Sequence, residues 1–258
     1  MDRDGVRISS ELFELTTSGA EPAQLDAVVS ELQSVTRGTY GQYCGLSRAV
    51  EMIGERWGLL IVRDLLAGAK TATELHQGLP RISTKLLSMR LKEMTYSGVL
   101  RPVDVTEPAD VAHYELTEYG RALEDVLFAL GRWGAMALAT PRPEDIITED
   151  SLMVALRATF VPEPTRGDAV GYELHVGDIV VHAKFDDGRL EVARGPLADA
   201  DAVIDPGPLF KSLLTGEVSV AAALDTGQVS VTGDPALLGR FVSMFRLPDL
   251  PSPAPAPA

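Results

Sequence analysis

Residues 73–94, "TELHQGLPRISTKLLSMRLKEM", hold two short helical patterns separated by Gly78, Leu79 and Pro80. Ser83 suits the N-cap of the second, because its hydroxyl can accept a hydrogen bond from an amide two or three residues on. At 100° per residue Leu87, Leu91 and Met94 fall within roughly 60° of one another and make a buried stripe. Lys85, Ser88 and Lys92 lie about 140–200° around the helix, with Thr84 and Met89 at the margins. Lysine neutralises phosphate, serine and threonine meet phosphates or base edges, and methionine can touch a thymine methyl. Arg81, just ahead of the helix, would lie near a backbone phosphate, as would the helix N-terminus. The alternative is that Lys85 and Lys92 are an ordinary solvated helix face. Against it, no acid occurs from Arg81 to Lys92, and Glu93 is the first.

The flanks give these helices a context. Upstream, "GLSRAVEMIGERWGLLIVRDLLAG" (45–68) carries a helical apolar stripe, with Gly54 and Gly68 as interruptions or ends. "TATELHQGL" (71–79) is a short helix ending at Gly78, a candidate C-cap. Downstream, "VLRPVDV" (99–105) and "AHYELT" (112–117) read as strands flanking the loop "TEPAD". "TEYGRALEDVLFALGRWGAMALA" (117–139) reads as one long helix with the stripe Leu123, Val126, Leu127, Leu130 and Trp133. A short helix, a tight turn, a second helix and a hairpin make a winged helix-turn-helix, with 83–94 in the recognition position.

The whole chain of 258 residues has a net charge of −14, unpromising for a nonspecific nucleic-acid binder. The charge is uneven: −4 over 1–40, −1 over 41–140 and −9 over 141–258. The near-neutral middle segment is where the helix-turn-helix pattern lies. No apolar run reaches the ~18–20 residues of a membrane span, and the N-terminus lacks a signal peptide's apolar stretch, so a cytoplasmic protein away from membranes is expected. Cys44 is the single cysteine and the four histidines are scattered, which leaves no internal disulfide and no metal-ligand spacing. No phosphate loop, nucleophile constellation or paired-carboxylate motif occurs, so no catalytic residue, metal or cofactor is expected and the chain is read as a non-enzyme.

Residues 44–123 resemble the HxlR-type winged helix regulators, a branch near the MarR group. The resemblance rests on Cys44, "IGERWGLLIVRDLLAG" (53–68), "TELHQGLPRISTKLLSMRLKEM" (73–94), "GVLRP" (98–102) and "HYELTEYGRAL" (113–123). It implies a dimeric DNA-binding regulator that presents two recognition helices to a pseudo-palindromic double-stranded operator. The DNA-facing set it places here is Arg81, Ser83, Thr84, Lys85, Ser88, Met89 and Lys92, with His113 as the nearest basic group on the wing. Two departures stand out. Asp110 and Ala112 occupy wing positions where the family carries cations, and Met89 stands where a polar residue is common. A weak wing contribution and an altered base preference are expected. Trp57, Arg63 and Trp133 are read as packing or dimer contacts, and helices 117–139 and 22–35 as the dimer interface. Cys44 is either a small buried apolar thiol or a redox switch, the second implied by the resemblance.

Past "ATPRPEDIITED" (139–150), a proline-rich and acidic linker, the pattern changes. "DSLMVALRATF" is an amphipathic helix. "GYELHVGD", "IVVHAKFDDG", "RLEVARG", "ADAVIDP" and "QVSVTGD" are strand-like, and "GPLFKSLLTG", "SVAAALDTG" and "PALLGRFVSMF" are helical. A five-stranded sheet covered on one side by helices is an α+β layer architecture. The order is similar to the sterol carrier protein fold, on "DGRLEVARGPLADADAVIDPGPLFKSLLTGEVSV" and "GQVSVTGDPALLGRFVSMF". That resemblance implies an apolar tunnel for acyl chains, sterols or other lipophiles, lined by Leu209, Phe210, Leu213, Leu214, Val220, Leu224, Phe241, Met244 and Phe245. The alternative is that these residues are simply core.

The expected organisation is an extension with one helix (1–40), the winged helix domain (41–140), a linker (141–149), the sterol carrier-like domain (150–247) and an extended Pro/Ala tail (248–258). The expected function is a ligand-responsive, dimeric DNA-binding regulator, a repressor sensing an apolar small molecule. In a second reading the C-terminal domain serves dimerisation or protein contacts, with control through Cys44. In a third the chain is a lipid carrier or enzyme accessory.

Overall fold

Thr71 opens the first helix of the helix-turn-helix with a capping box. Its hydroxyl accepts from the Glu74 amide (3.1 Å) while the Glu74 carboxylate accepts from the Thr71 amide (2.7 Å). The computed structural model describes residues 39–103, 112–138, 142, 144–165, 167 and 169–247. Within them, helices α1 (Gly45–Ile53), α2 (Gly58–Leu66), α3 (Ala72–Gly78) and α4 (Thr84–Tyr96) precede a small sheet. Its strands β1 (Lys70–Thr71), β2 (Leu100–Val103) and β3 (His113–Leu116) run in the order β1-β3-β2, all antiparallel. The core between these elements holds Ile61, Val62 and Leu65 of α2, Leu75 of α3, and Leu87, Leu91 and Met94 of α4. Each such side chain contributes about 1.5–3 kcal/mol by leaving water.

The region expected as one helix over 117–139 is two, α5 (Glu118–Arg121) and α6 (Glu124–Ala135). Thr117 caps α5 by accepting from the Gly120 amide (3.0 Å), and its hydroxyl donates to the Gly98 carbonyl (2.6 Å). This fastens α5 to the start of the wing sheet, and a Cβ at Gly120 would lie 2.2 Å from the Val99 carbonyl oxygen. The ladder then tightens, the Leu123 amide bonding Gly120 three residues back (3.1 Å), before α6 begins. Gly78 differs from expectation as well: it ends α3 as a helical residue, and Leu79 is the C-cap. A Cβ there would meet the Asp64 Oδ2 oxygen at 2.8 Å.

The C-terminal region is mixed α/β. Strands β4 (Ala169–Val176), β5 (Ile179–Asp186), β6 (Arg189–Arg194), β7 (Ala202–Asp205) and β8 (Ser230–Gly233) form a sheet of order β6-β5-β4-β7-β8, with β4 and β7 parallel and the other pairs antiparallel. The β5–β6 hairpin turns through Asp187 and Gly188, both at positive φ (43° and 79°), as a two-residue primed turn requires. Val170, Tyr172 and Leu174 of β4 and Val181, Ala183 and Phe185 of β5 all point to one face. Helices α7 (Glu149–Thr159), α8 (Phe210–Thr215), α9 (Val220–Asp225) and α10 (Ala236–Ser243) supply the rest of that core.

Helix α7 joins the two regions. Thr148 and Ser151 form its capping box. Leu152, Met153 and Leu156 pack into the core of the large sheet, whereas Val154 is buried in the winged helix core. An ion pair between nearly buried groups reinforces the joint: Lys70 Nζ of β1 lies 3.0 Å from Asp150 Oδ2 of α7. Asp150 also pairs with Arg194 of β6, which reaches Glu149 as well (3.1 Å). Arg132 of α6 donates to the Ala158 carbonyl (2.6 Å), and Arg157 donates to the Leu66 carbonyl (3.2 Å) and pairs with Glu124.

Candidate nucleic-acid interface

The turn between α3 and α4 is closed by the Ile82 amide bonding the Leu79 carbonyl (3.0 Å), with Ile82 itself buried. Arg81 stays exposed beside it. Ser83 then caps α4, its hydroxyl accepting from the Leu86 amide (3.3 Å). With Leu87, Leu91 and Met94 each about 1% exposed, the rotation of α4 is settled: Thr84, Lys85, Ser88, Met89 and Lys92 all face solvent, Met89 at 43% exposure. The periodicity placed both faces of this helix as found.

The cations of α4 divide by partner. Arg90 reaches inward, bonding Glu55 (3.1 Å) and Glu93 (2.6 Å), and so ties α4 to the segment between α1 and α2. Among the described residues neither Lys85 nor Lys92 belongs to an ion pair, so their charge is available to an external anion. His113 sits at the base of the wing, opposite Thr71 on β1 and Val103 on β2. There it is half-buried and near Glu74, whose carboxyl is held below the usual range chiefly by the Thr71 hydrogen bonds, with Lys70 and His113 adding to the effect. It is therefore a wing-base residue and not a wing-tip one. Asp110 and the rest of 104–111 lie outside the described residues; Ala112 is exposed.

Cys44 is the clearest departure from expectation. It is exposed, and it occupies the N-cap position of α1. Amides of Ser47 and Leu46 at the helix start, with the Ser47 hydroxyl, stabilise the thiolate and hold the thiol pKa below its ordinary value. No lysine or arginine is needed for this. The cue in sequence was its place directly before the α1 pattern.

Trp57 packs half-buried against the core, and Arg63 bonds Asp64 (2.8 Å). Asp64 is fully buried with no partner for Oδ2, and burial pushes its carboxyl pKa up. On α6 only Leu127 of the expected stripe is buried; Val126, Leu130 and Trp133 are 49%, 44% and 69% exposed. The other expected interface helix, 22–35, lies outside the described residues.

In the C-terminal region Leu213, Phe241, Met244 and Phe245 are buried core, while Leu209, Phe210, Leu214, Val220 and Leu224 pack partly buried around them. The Phe241 and Phe245 rings lie 4.7 Å apart and tilted, and Tyr172 meets Phe241 at 5.1 Å. The seam beside Phe210, Leu213, Leu214 and Phe241 is only about 190 Å³ in all and too tight for a water molecule. The side chains expected to line a tunnel close on one another here. His175 and His182 pair with Glu173 (2.5 Å) and the Gly195 carbonyl (2.9 Å) on the opposite sheet face. Among the described residues no cluster of His, Cys, Asp or Glu fits a metal ion, and no helix is long and apolar enough to cross a membrane.

Residues 52–141 match the model of the HxlR-like helix-turn-helix family. The chain is 37% identical over 86 residues to the "Uncharacterized HTH-type transcriptional regulator YtcD" of Bacillus subtilis, covering 33% of this chain and 68% of that protein. It is 36% identical over 86 residues to the regulator YvaP of the same organism, covering 33% of this chain and 80% of that one. The chain belongs to the HxlR-like helix-turn-helix family. A crystal structure described as a putative HTH-type regulator ytcD aligns with a TM-score of 0.34 and 35% identity, over 36% of this chain and 94% of that chain.

Transcription regulation and DNA binding are thus the work of the HxlR-like segment, and its motifs have physical explanations here. Leu116 is core, Thr117 caps α5, and Gly120 allows the Val99 carbonyl to approach. Ile82 is core, Ser83 is the cap, and Lys85 is left facing out. The C-terminal α/β region lies beyond the segment matched to the family. The sequence reading missed Lys70, Asp150, Arg157 and Glu124, since nothing local marks partners that meet only after folding.

Proposed function

We propose that this HxlR-like chain is a cytoplasmic, dimeric transcriptional repressor that grips a pseudo-palindromic operator with two copies of α4. The carrying observation is the exposed face of Thr84, Lys85, Ser88, Met89 and Lys92, whose two lysines have no ion-pair partner among the described residues. Arg81 and the capped N-terminus of α4 supply phosphate contacts beside it, while Lys85 and Lys92 neutralise phosphates. Ser88 and Met89 lie toward base edges. His113, at the wing base, is the basic residue of the wing nearest this face. The unburied Val126, Leu130 and Trp133 on α6 support pairing of two chains through this helix.

The test is anisotropy titration of an operator selected from random duplexes, repeated across salt. Removing one lysine that neutralises a phosphate lowers the slope of log K against log salt by about 0.9. Lys85→Ala/Lys92→Ala in both subunits should therefore lower it by roughly 3.6. An unchanged slope overturns the assignment of α4. Deleting the gene should raise transcription from promoters carrying the selected site; a fall would make it an activator.

The C-terminal region, similar in element order to sterol carrier proteins, is proposed to adjust this grip in response to an apolar small molecule. The packing of α7 into both cores supports that role, because a change in the sheet region would be felt by α2 and α6. A second reading, in which the region serves protein contacts, is favoured by the closed seam around Phe210 and Phe241. Native mass spectrometry separates the two: a co-purifying lipophile supports the first reading and a bare chain the second.

A further inference from the structure

The end of α2, the middle of α7 and the outer strand β6 do not close on one another, and a cavity of about 240 Å³ remains between them. Leu66 and Ala67, Met153 and Val154, and residues 190–192 of β6 line it, together with Arg157. The space is a cleft partly open to solvent, and its volume has room for a ring or short chain plus a polar group, roughly ten non-hydrogen atoms. Because β6 pairs only with β5, alternate backbone N–H and C=O groups point out of the sheet on this side. The charged wall group with the least solvent around it is Arg157, about one-third exposed; Glu191 is exposed. Arg157 already holds one carboxylate, that of Glu124 in the first turn of α6, and its guanidinium lies 5.5 Å over the Phe128 ring. A planar guanidinium binds carboxylates through paired N–H bonds, so it can exchange one carboxylate for another.

We propose that this junction binds a small monocarboxylic acid with a compact apolar body, its carboxylate taking Arg157 from Glu124. The apolar body sits against Ala67, Met153 and Val154. The exchange frees the start of α6, the helix with the exposed Val126–Leu130–Trp133 stripe, and loosens the hold of α7 on the winged helix. The regulatory consequence rests on the effector-responsive reading above; binding itself does not.

Isothermal titration of the full chain with phenylacetate, cyclohexanecarboxylate and hexanoate tests it, with phenylacetamide as the uncharged control. At least one acid should bind with one site per chain. Arg157→Gln should weaken it roughly tenfold while leaving the amide unaffected, the size expected for a charged hydrogen bond. Ala67→Phe, which fills the cavity from the winged helix side, should abolish binding of acid and amide alike while operator affinity stays unchanged. That second variant decides the matter if Arg157→Gln fails to fold. No heat from any of the three acids at millimolar concentration overturns the site, as does binding untouched by Ala67→Phe. Saturable binding with unaltered operator affinity leaves the site standing and overturns the effector-responsive reading alone.

Discussion

Replacing Asp150 by alanine strands Lys70 at the joint between the two regions. The Lys70 side chain is 4% exposed and that of Asp150 11%, with Nζ and Oδ2 3.0 Å apart. Removing one member of such a buried pair typically costs 3–5 kcal/mol, because the other charge keeps its desolvation penalty and loses its partner. Asp150 also stands in the first turn of α7, where a negative charge contributes a further 0.3–1 kcal/mol, roughly, against the helix dipole. We expect Asp150→Ala to cost about 4 kcal/mol. The reverse change is milder. Lys70→Met keeps an unbranched stem in place, and Asp150 retains Arg194, so about 1–2 kcal/mol is expected. The double variant should cost about 1 kcal/mol more than Lys70→Met alone, which leaves a coupling of roughly 3 kcal/mol. Urea unfolding at constant m measures all three, and Asp150→Ala should lower Tm by roughly 10 °C in a chain of this size. Additive costs within about 0.5 kcal/mol, or an Asp150→Ala cost below about 1 kcal/mol, would refute a buried pair locking the joint.

Asp64→Asn tests the buried carboxyl whose Oδ2 has no partner. A pKa raised by burial means that the folded state holds this proton more tightly, so stability from Asp64 is greatest below its unfolded pKa and declines as pH rises through the raised value. Urea midpoints from pH 4 to 7 should therefore fall less steeply for the asparagine variant than for the parent, and parallel profiles would contradict this. Cys44, exposed and with its thiol pKa lowered at the α1 N-terminus, should alkylate fully with iodoacetamide in the native protein at pH 7. Protection without denaturant would mean that it is covered. Leu130→Asp/Trp133→Asp should convert a dimer to a monomer by light scattering with little change in monomer stability, within about 0.5 kcal/mol, since neither side chain is buried in one chain. A dimer that survives the pair of charges places the interface elsewhere.

The helix-turn-helix was legible because its signals are local. A 3.6-residue period turned Leu87, Leu91 and Met94 inward and left Lys85 and Lys92 outward, and the hydroxyls of Thr71 and Ser83 marked where helices start. The large sheet was legible for the same reason, through alternation in β4 and β5 and the Asp187-Gly188 turn. Local pattern misled where a distant group intervened. Gly78 looked like a cap, but Asp64 takes the space of its missing side chain; residues 117–139 carried one helical stripe, but a tightened turn at Gly120–Leu123, beside the Thr117 bond to Gly98, divides it in two. No lysine, arginine or histidine lies within three residues of Cys44 in sequence, and backbone amides set its chemistry instead.

Sequence alone thus determined most of the elements, the outward face of the recognition helix and the family. Each depends on residues a turn or two apart, which share a face whatever the rest of the chain does. Only tertiary structure decided which cations remain available: Arg90 and Lys85 look alike in sequence, yet Arg90 is consumed by Glu55 and Glu93. Tertiary structure also put α7 into two cores at once, closed the seam around Phe241 and left open the cavity beside Arg157. Those outcomes follow from how far whole elements can approach one another, a property of packed volumes that no local period encodes.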